Sequence, residues 1–168
     1  NNDGWNDLII MGTSPGGAAF EWHDNLSARH SFNFDLSAGD LEIFDVDNDG
    51  DLDILACGEN GSTEPQTLLL KNQLAEQNYL GDMTFISASH TLPNVKACSL
   101  EFGKDDLEIW LLFAGETVSE NDNVSAYKIR KDTFQKIQNF SSWEVPELSA
   151  LFTDLTQDGV LDLLLAGE

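Results

Sequence analysis

Nine residues constrain this chain more than any others: Asp45-Val46-Asp47-Asn48-Asp49-Gly50-Asp51-Leu52-Asp53, followed by the apolar run Ile54-Leu55-Ala56-Cys57 and Gly58. Carboxylates stand at positions 1, 3, 5 and 9, and a glycine at 6. Acids this close repel one another unless a cation holds them, and calcium takes six to eight oxygen ligands of this kind. Gly50 permits the sharp turn, because glycine tolerates positive φ. Asp51, at position 7, would offer its backbone carbonyl, and Asp53 would close the shell. An EF-hand needs a glutamate at position 12 and a helix after it. Position 12 is Ala56, and the run that follows reads as a buried strand. The loop therefore belongs in a β-hairpin.

The loop recurs. Asp154, Thr156, Asp158, Gly159, Val160 and Asp162 repeat positions 1, 3, 5, 6, 7 and 9 ahead of Leu163-Leu164-Leu165-Ala166-Gly167. Near the N-terminus, Asn1, Asp3, Trp5 and Asp7 fill positions 3, 5, 7 and 9 ahead of Leu8-Ile9-Ile10-Met11-Gly12. A worn copy over residues 101–108 keeps the apolar run and Gly115 but cannot place four acids in register. There Lys104 is expected to supply the positive charge, and no ion is expected. The closing glycines Gly12, Gly58, Gly115 and Gly167 lie 46, 57 and 52 residues apart. A period near 50 is that of a four-stranded propeller blade. Each period carries a second strand (19–22, 67–71, 126–129), a third (31–34, 84–87, 133–137) and a strand entering the next loop (41–44, 97–100, 148–152).

With its D-x-D-x-D-G-x-x-D loop at Asp45–Asp53, partial copies and flanking apolar strands, the chain resembles the FG-GAP or VCBS repeat family of integrin-α-like β-propellers. The resemblance covers nearly the whole chain. It implies an all-β fold of four-stranded antiparallel blades, about three and part of a fourth, with repeats near 1–44, 45–100, 101–153 and 154–168. Family propellers have about seven blades, so a segment of a longer protein is expected. Carried over by position, the calcium ligands are Asp45, Asp47, Asp49, the Asp51 carbonyl and Asp53. The second set is Asp154, Thr156, Asp158, the Val160 carbonyl and Asp162.

Thirty acids against eight bases give a net charge of −22, which argues against nucleic acid and anionic membranes as partners. No apolar stretch approaches the 18 or so residues of a membrane span. Cys57 and Cys98 sit in strands that are not sequence neighbours and read as buried free thiols. Calcium loops of the weaker, extracellular kind point to a secreted or cell-surface location. Sequons at Asn25, Asn60, Asn123 and Asn139 are candidate glycosylation sites. His23, His30 and His90 have no catalytic spacing, and no enzyme activity is expected. Residues 72–82 form the longest irregular stretch, with one helical turn expected over 73–77. Insertions of this kind often bind partners. The expected role is a calcium-stabilised scaffold for protein contacts in adhesion or assembly. The alternative is a carbohydrate-binding or polysaccharide-processing propeller, with Trp5, Trp22, Trp110 and Trp143 as stacking candidates.

Overall fold

The computed structural model describes residues 4–26, 28–79, 83–105, 108–119, 122–140 and 149–166, without the side chain of Asp122. These residues form an all-β chain of thirteen strands and no helix. The strands are β1 (Leu8–Ser14), β2 (Gly17–Asp24), β3 (Ala28–Ser31), β4 (Ser37–Phe44), β5 (Asp53–Glu59), β6 (Pro65–Asn72), β7 (Phe85–Ala88), β8 (Lys96–Lys104), β9 (Ile109–Glu116), β10 (Asp122–Arg130), β11 (Thr133–Asn139), β12 (Ser149–Thr153) and β13 (Asp162–Ala166). They pair in chain order as four antiparallel sheets, β1-β2-β3, β4-β5-β6-β7, β8-β9-β10-β11 and β12-β13. The strand entering each loop thus shares a sheet with the strand leaving it. Neighbouring sheets meet through β1 and β4, β4 and β8, and β8 and β12.

The unbroken apolar runs follow from this stacking. Successive strand side chains point to opposite faces. Ile54 and Ala56 of β5 enter a core shared with Phe20 of the first sheet. Leu55 and Cys57 enter a core shared with Leu111 and Phe113 of the third. All four β5 residues are fully buried. A sheet covered on both faces needs apolar residues at every position, as these runs supply. Leu112 and Ala114 of β9 face the fourth sheet in the same way.

Two of the closing glycines, Gly58 and Gly115, stand against a β-bulge. Register slips between Ser37 and Asp40 in β4, and between Lys96 and Ser99 in β8. Within each bulge an alanine, Ala38 or Ala97, takes a positive φ. The bulge leans over the glycine of the next strand. A Cβ on Gly58 would stand 2.3 Å from the Ser37 carbonyl oxygen, and one on Gly115 would stand 2.6 Å from Val95 Cβ.

Two expectations change. Cys57 and Cys98 form a disulfide rather than two thiols, with Cα atoms 6.2 Å apart. Their strands are distant in sequence, but β5 packs on β8 across the sheet boundary. The third strand of the first sheet is Ala28–Ser31, earlier than expected, because Phe32 and Phe34 turn into the core. The stretch at 73–77 forms a single turn, as expected, in which the amides of Gln77 and Tyr79 donate to the Leu74 carbonyl and that of Asn78 to the Ala75 carbonyl.

Carboxylates stitch the inner strands. Asp40 accepts the Leu100 amide at 2.9 Å, and Glu101 accepts that of Phe152 at 3.4 Å. Glu42 lies two residues beyond Asp40 in β4. Burial, aided by the charges of Glu101 and Asp40, pushes its carboxyl up to about 7 against the pull of the Ile43 and Phe102 amides. The folded chain therefore binds this proton more tightly than the unfolded one, and stability falls as pH rises from about 4.5 to about 7. Glu42→Gln is expected to flatten that decline in a series of thermal melts. Cys57→Ser is expected to cost about 2–4 kcal/mol in denaturant unfolding, since the cross-link closes a loop with a sequence separation of 41 residues.

Candidate metal centre

The loop between β4 and β5 is shaped by its own aspartates. Asp45 accepts the amides of Asp49 at 3.1 Å and Gly50 at 3.0 Å. Asp49 accepts that of Asp51 at 3.0 Å. Asn48 and Gly50 take positive φ, at 64° and 96°. The loop between β12 and β13 repeats every element of this pattern. Asp154 accepts the amides of Asp158 and Gly159, Asp158 accepts that of Val160, and Gln157 and Gly159 take positive φ. Gly4 has the same φ as Gly159, 86°. Asn1 and Asp3 lie outside the described residues.

One carboxylate oxygen each from Asp45, Asp47 and Asp49 falls within 4.8 Å of the others. These are positions 1, 3 and 5. Burial, then the charges of Asp51, Asp47 and Asp45, raise the Asp49 carboxyl above its ordinary range, with the Asp51 amide opposing. Asp47 Oδ1 is buried and meets no hydrogen-bond donor. The chemistry of three converging carboxylates with an unsatisfied buried oxygen fits a hard cation.

Position 9 also holds backbone. Asp53 is only 2% exposed. Its Oδ2 accepts the Val46 amide at 3.0 Å, and its Oδ1 accepts the Asn72 amide at 2.9 Å. It thus ties the loop to the far end of β6. Burial pushes its carboxyl up to about 7, the two amides opposing and the charges of Asp47 and Asp51 adding. Asp162 likewise takes the Leu155 and Thr156 amides. Asp7 takes the Asn25 amide just past β2, matching Asp53 and Asn72.

The protein also supplies cations of its own, a feature the motif does not announce. Lys71 of β6 bonds Asp47 at 2.6 Å and Asp132 at 2.7 Å. Asp132 lies in the β10–β11 turn, and its amide donates to the Val46 carbonyl. Burial disfavours the Lys71 ammonium, but Asp132 and Asp47 outweigh it and raise its pKa. In the third sheet, Lys128 and Arg130 both pair with Glu108. They hold the Glu108 carboxyl below its usual range. Lys104, expected to provide this charge, is exposed instead. The signal was available: Lys71 and Lys128 are 57 residues apart, as are Gly58 and Gly115.

The worn loop has a geometric cause. The pair Ser37 and Glu59 recurs as Lys96 and Glu116, a shift of 59 residues before the loop and 57 after it. Two residues are missing, and Asp105 closes the shorter turn by accepting the Glu108 amide at 2.7 Å.

Other candidates disperse. Trp5, Trp22 and Tyr79 line a cleft of about 480 Å³ between the first two sheets. Trp110 lies apart, under Lys128, and Trp143 is outside the described residues. His23 contacts Glu21, His30 stacks on Trp22, and His90 contacts the Thr67 carbonyl. Asn25 and Asn60 occupy turns, and Asn139 is exposed at the end of β11, with Ser141 outside the described residues. Asn123 is corrected as a glycosylation candidate, because its Nδ2 is buried and Ser125 is fully buried. Comparison with protein-family models, curated proteins and solved structures finds no match.

Asp53→Ala is expected to strand the Val46 and Asn72 amides, at about 1–3 kcal/mol for each donor left unpaired. Denaturant unfolding with and without calcium checks it. The loss should appear in both conditions, because Asp53 holds backbone whether or not an ion is bound.

Proposed function

We propose that the chain is part of a calcium-stabilised β-propeller that serves as a rigid extracellular scaffold for protein contacts. The observation that carries the reading is the convergence of Asp45, Asp47 and Asp49 in a loop whose backbone pattern returns at 154–162. Asp45, Asp47, Asp49 and the Asp51 carbonyl would hold the first ion. Asp154, Thr156, Asp158 and the Val160 carbonyl would hold the second. The ion would neutralise the aspartates and fasten the hairpin. The residues of this chain set the loop backbone and aim the oxygens.

The four-stranded meanders and the contact of successive sheets through their first strands support a blade arrangement. The Cys57–Cys98 disulfide suits an oxidising compartment. So does calcium at the concentrations that fill extracellular modules. No helix among the described residues is long and apolar enough to cross a membrane. The acidic surface and the insertion after β6 leave protein contacts as the favoured use.

Thermal melts in calcium and in excess EDTA test the reading. A ligand that binds only the folded state contributes about 2.7 kcal/mol at a hundredfold excess over Kd. The expected outcome is a melting temperature lowered by EDTA in the parent. Asp49→Ala should shrink the calcium-dependent shift. An unchanged shift in that variant would overturn the assignment.

A further inference from the structure

Position 7 of the loop motif contributes a backbone carbonyl, so its side chain is free to differ between copies. It is Trp5, 76% exposed, in the first copy and Val160, 54% exposed, in the last. In the main loop it is Asp51, only 4% exposed. The insertion after β6 covers it. The Ala75 amide donates to Asp51 Oδ2 at 2.8 Å, and the Tyr79 hydroxyl donates to the Asp49 carbonyl at 3.1 Å. This fold-back delivers a further acid, Glu76. One carboxylate oxygen each from Asp49, Asp51 and Glu76 lies within 4.8 Å of the others.

Two facts point to a ligand in this group. Asp51 Oδ1 is buried and meets no donor. Among the described residues no lysine, arginine or histidine pairs with any of the three acids; Lys71, nearby in sequence, is committed to Asp47 and Asp132. A buried carboxylate oxygen left without a partner is costly, and two more carboxylates beside it make the cost larger. A hard divalent cation removes the repulsion and supplies the missing contact.

We infer that Asp49, Asp51 and Glu76 form a second cation site, between the loop and the insertion, that takes calcium or a similar hard divalent ion. It lies beside the proposed loop ion and shares Asp49 with it, while Asp51 and Glu76 contribute carboxylates that the loop ion does not use. Its occupancy would fasten the insertion to the loop.

Equilibrium dialysis of the whole chain against calcium, with bound metal counted per chain, tests this. Glu76→Gln changes an exposed side chain, and Asp51→Asn keeps an acceptor for the Ala75 amide. Each is expected to bind one calcium fewer than the parent with an unchanged circular-dichroism spectrum. Asp47→Asn addresses the loop ion alone and should keep the equivalent that Glu76→Gln loses. If Asp47→Asn changes nothing and Glu76→Gln still loses one ion, the second site stands and the loop ion falls. If Glu76→Gln and Asp51→Asn both bind calcium with the parent's stoichiometry and affinity, the second site is overturned.

Discussion

The structure depends on carboxylates that accept backbone amides where water is scarce. Asp53 is the central case. It is nearly inaccessible, yet both of its oxygens are satisfied, one by the loop and one by the end of β6. A buried carboxylate held by two amides joins three chain segments at one point. Nearer the surface, Asp162 takes two amides of its own loop on one oxygen, and Asp7 binds the turn after β2. Between sheets, Asp40 and Glu101 do this for the inner strands. The acidic composition is in part a supply of acceptors for amides that no strand neighbour satisfies.

Such a design concentrates negative charge, and equivalent hairpins resolve it differently. In the third sheet, two residues are missing from the loop, and Lys128 and Arg130 neutralise Glu108. In the second sheet, Lys71 stands at the position matching Lys128 but reaches out to Asp132 on the neighbouring sheet. Within the loop its ammonium bonds Asp47 alone, so with Asp45, Asp49 and Asp51 beside it the loop keeps a large excess of negative charge. The same lysine position thus serves as a local counter-ion in one sheet and as a link between sheets in the other. A bound cation in the main loop would sit next to that link, through Asp47.

Packing supplies the rest. Sheets covered on both faces need no polar alternation, and their cores run from one sheet to the next. The disulfide crosses the same boundary as the largest of these cores, between the second and third sheets. The bulges at Ala38 and Ala97 press each entering strand onto the glycine that ends the next strand. A larger residue at Gly58 or Gly115 would push the two apart.

By itself the sequence determined the strand content, the order of strands in each hairpin and the position of the loops. Those are local properties: short apolar runs, the spacing of the aspartates and glycine at positions needing positive φ are legible along the chain. Asp45, Asp47 and Asp49 were legible as a converging set for the same reason, since their spacing within one turn fixes their geometry. What only the tertiary structure decided joins segments remote in sequence. The pairing of Cys57 with Cys98 and the reach of Lys71 to Asp132 cross from one sheet to the next, and the descent of the insertion onto Asp51 stays within the second; each joins segments whose distance in sequence carries no register. Asp53 shows the division within one residue. Its place in the motif was plain, but the Asn72 amide that occupies one of its oxygens arrives from a strand nineteen residues away, and only folding brings it there.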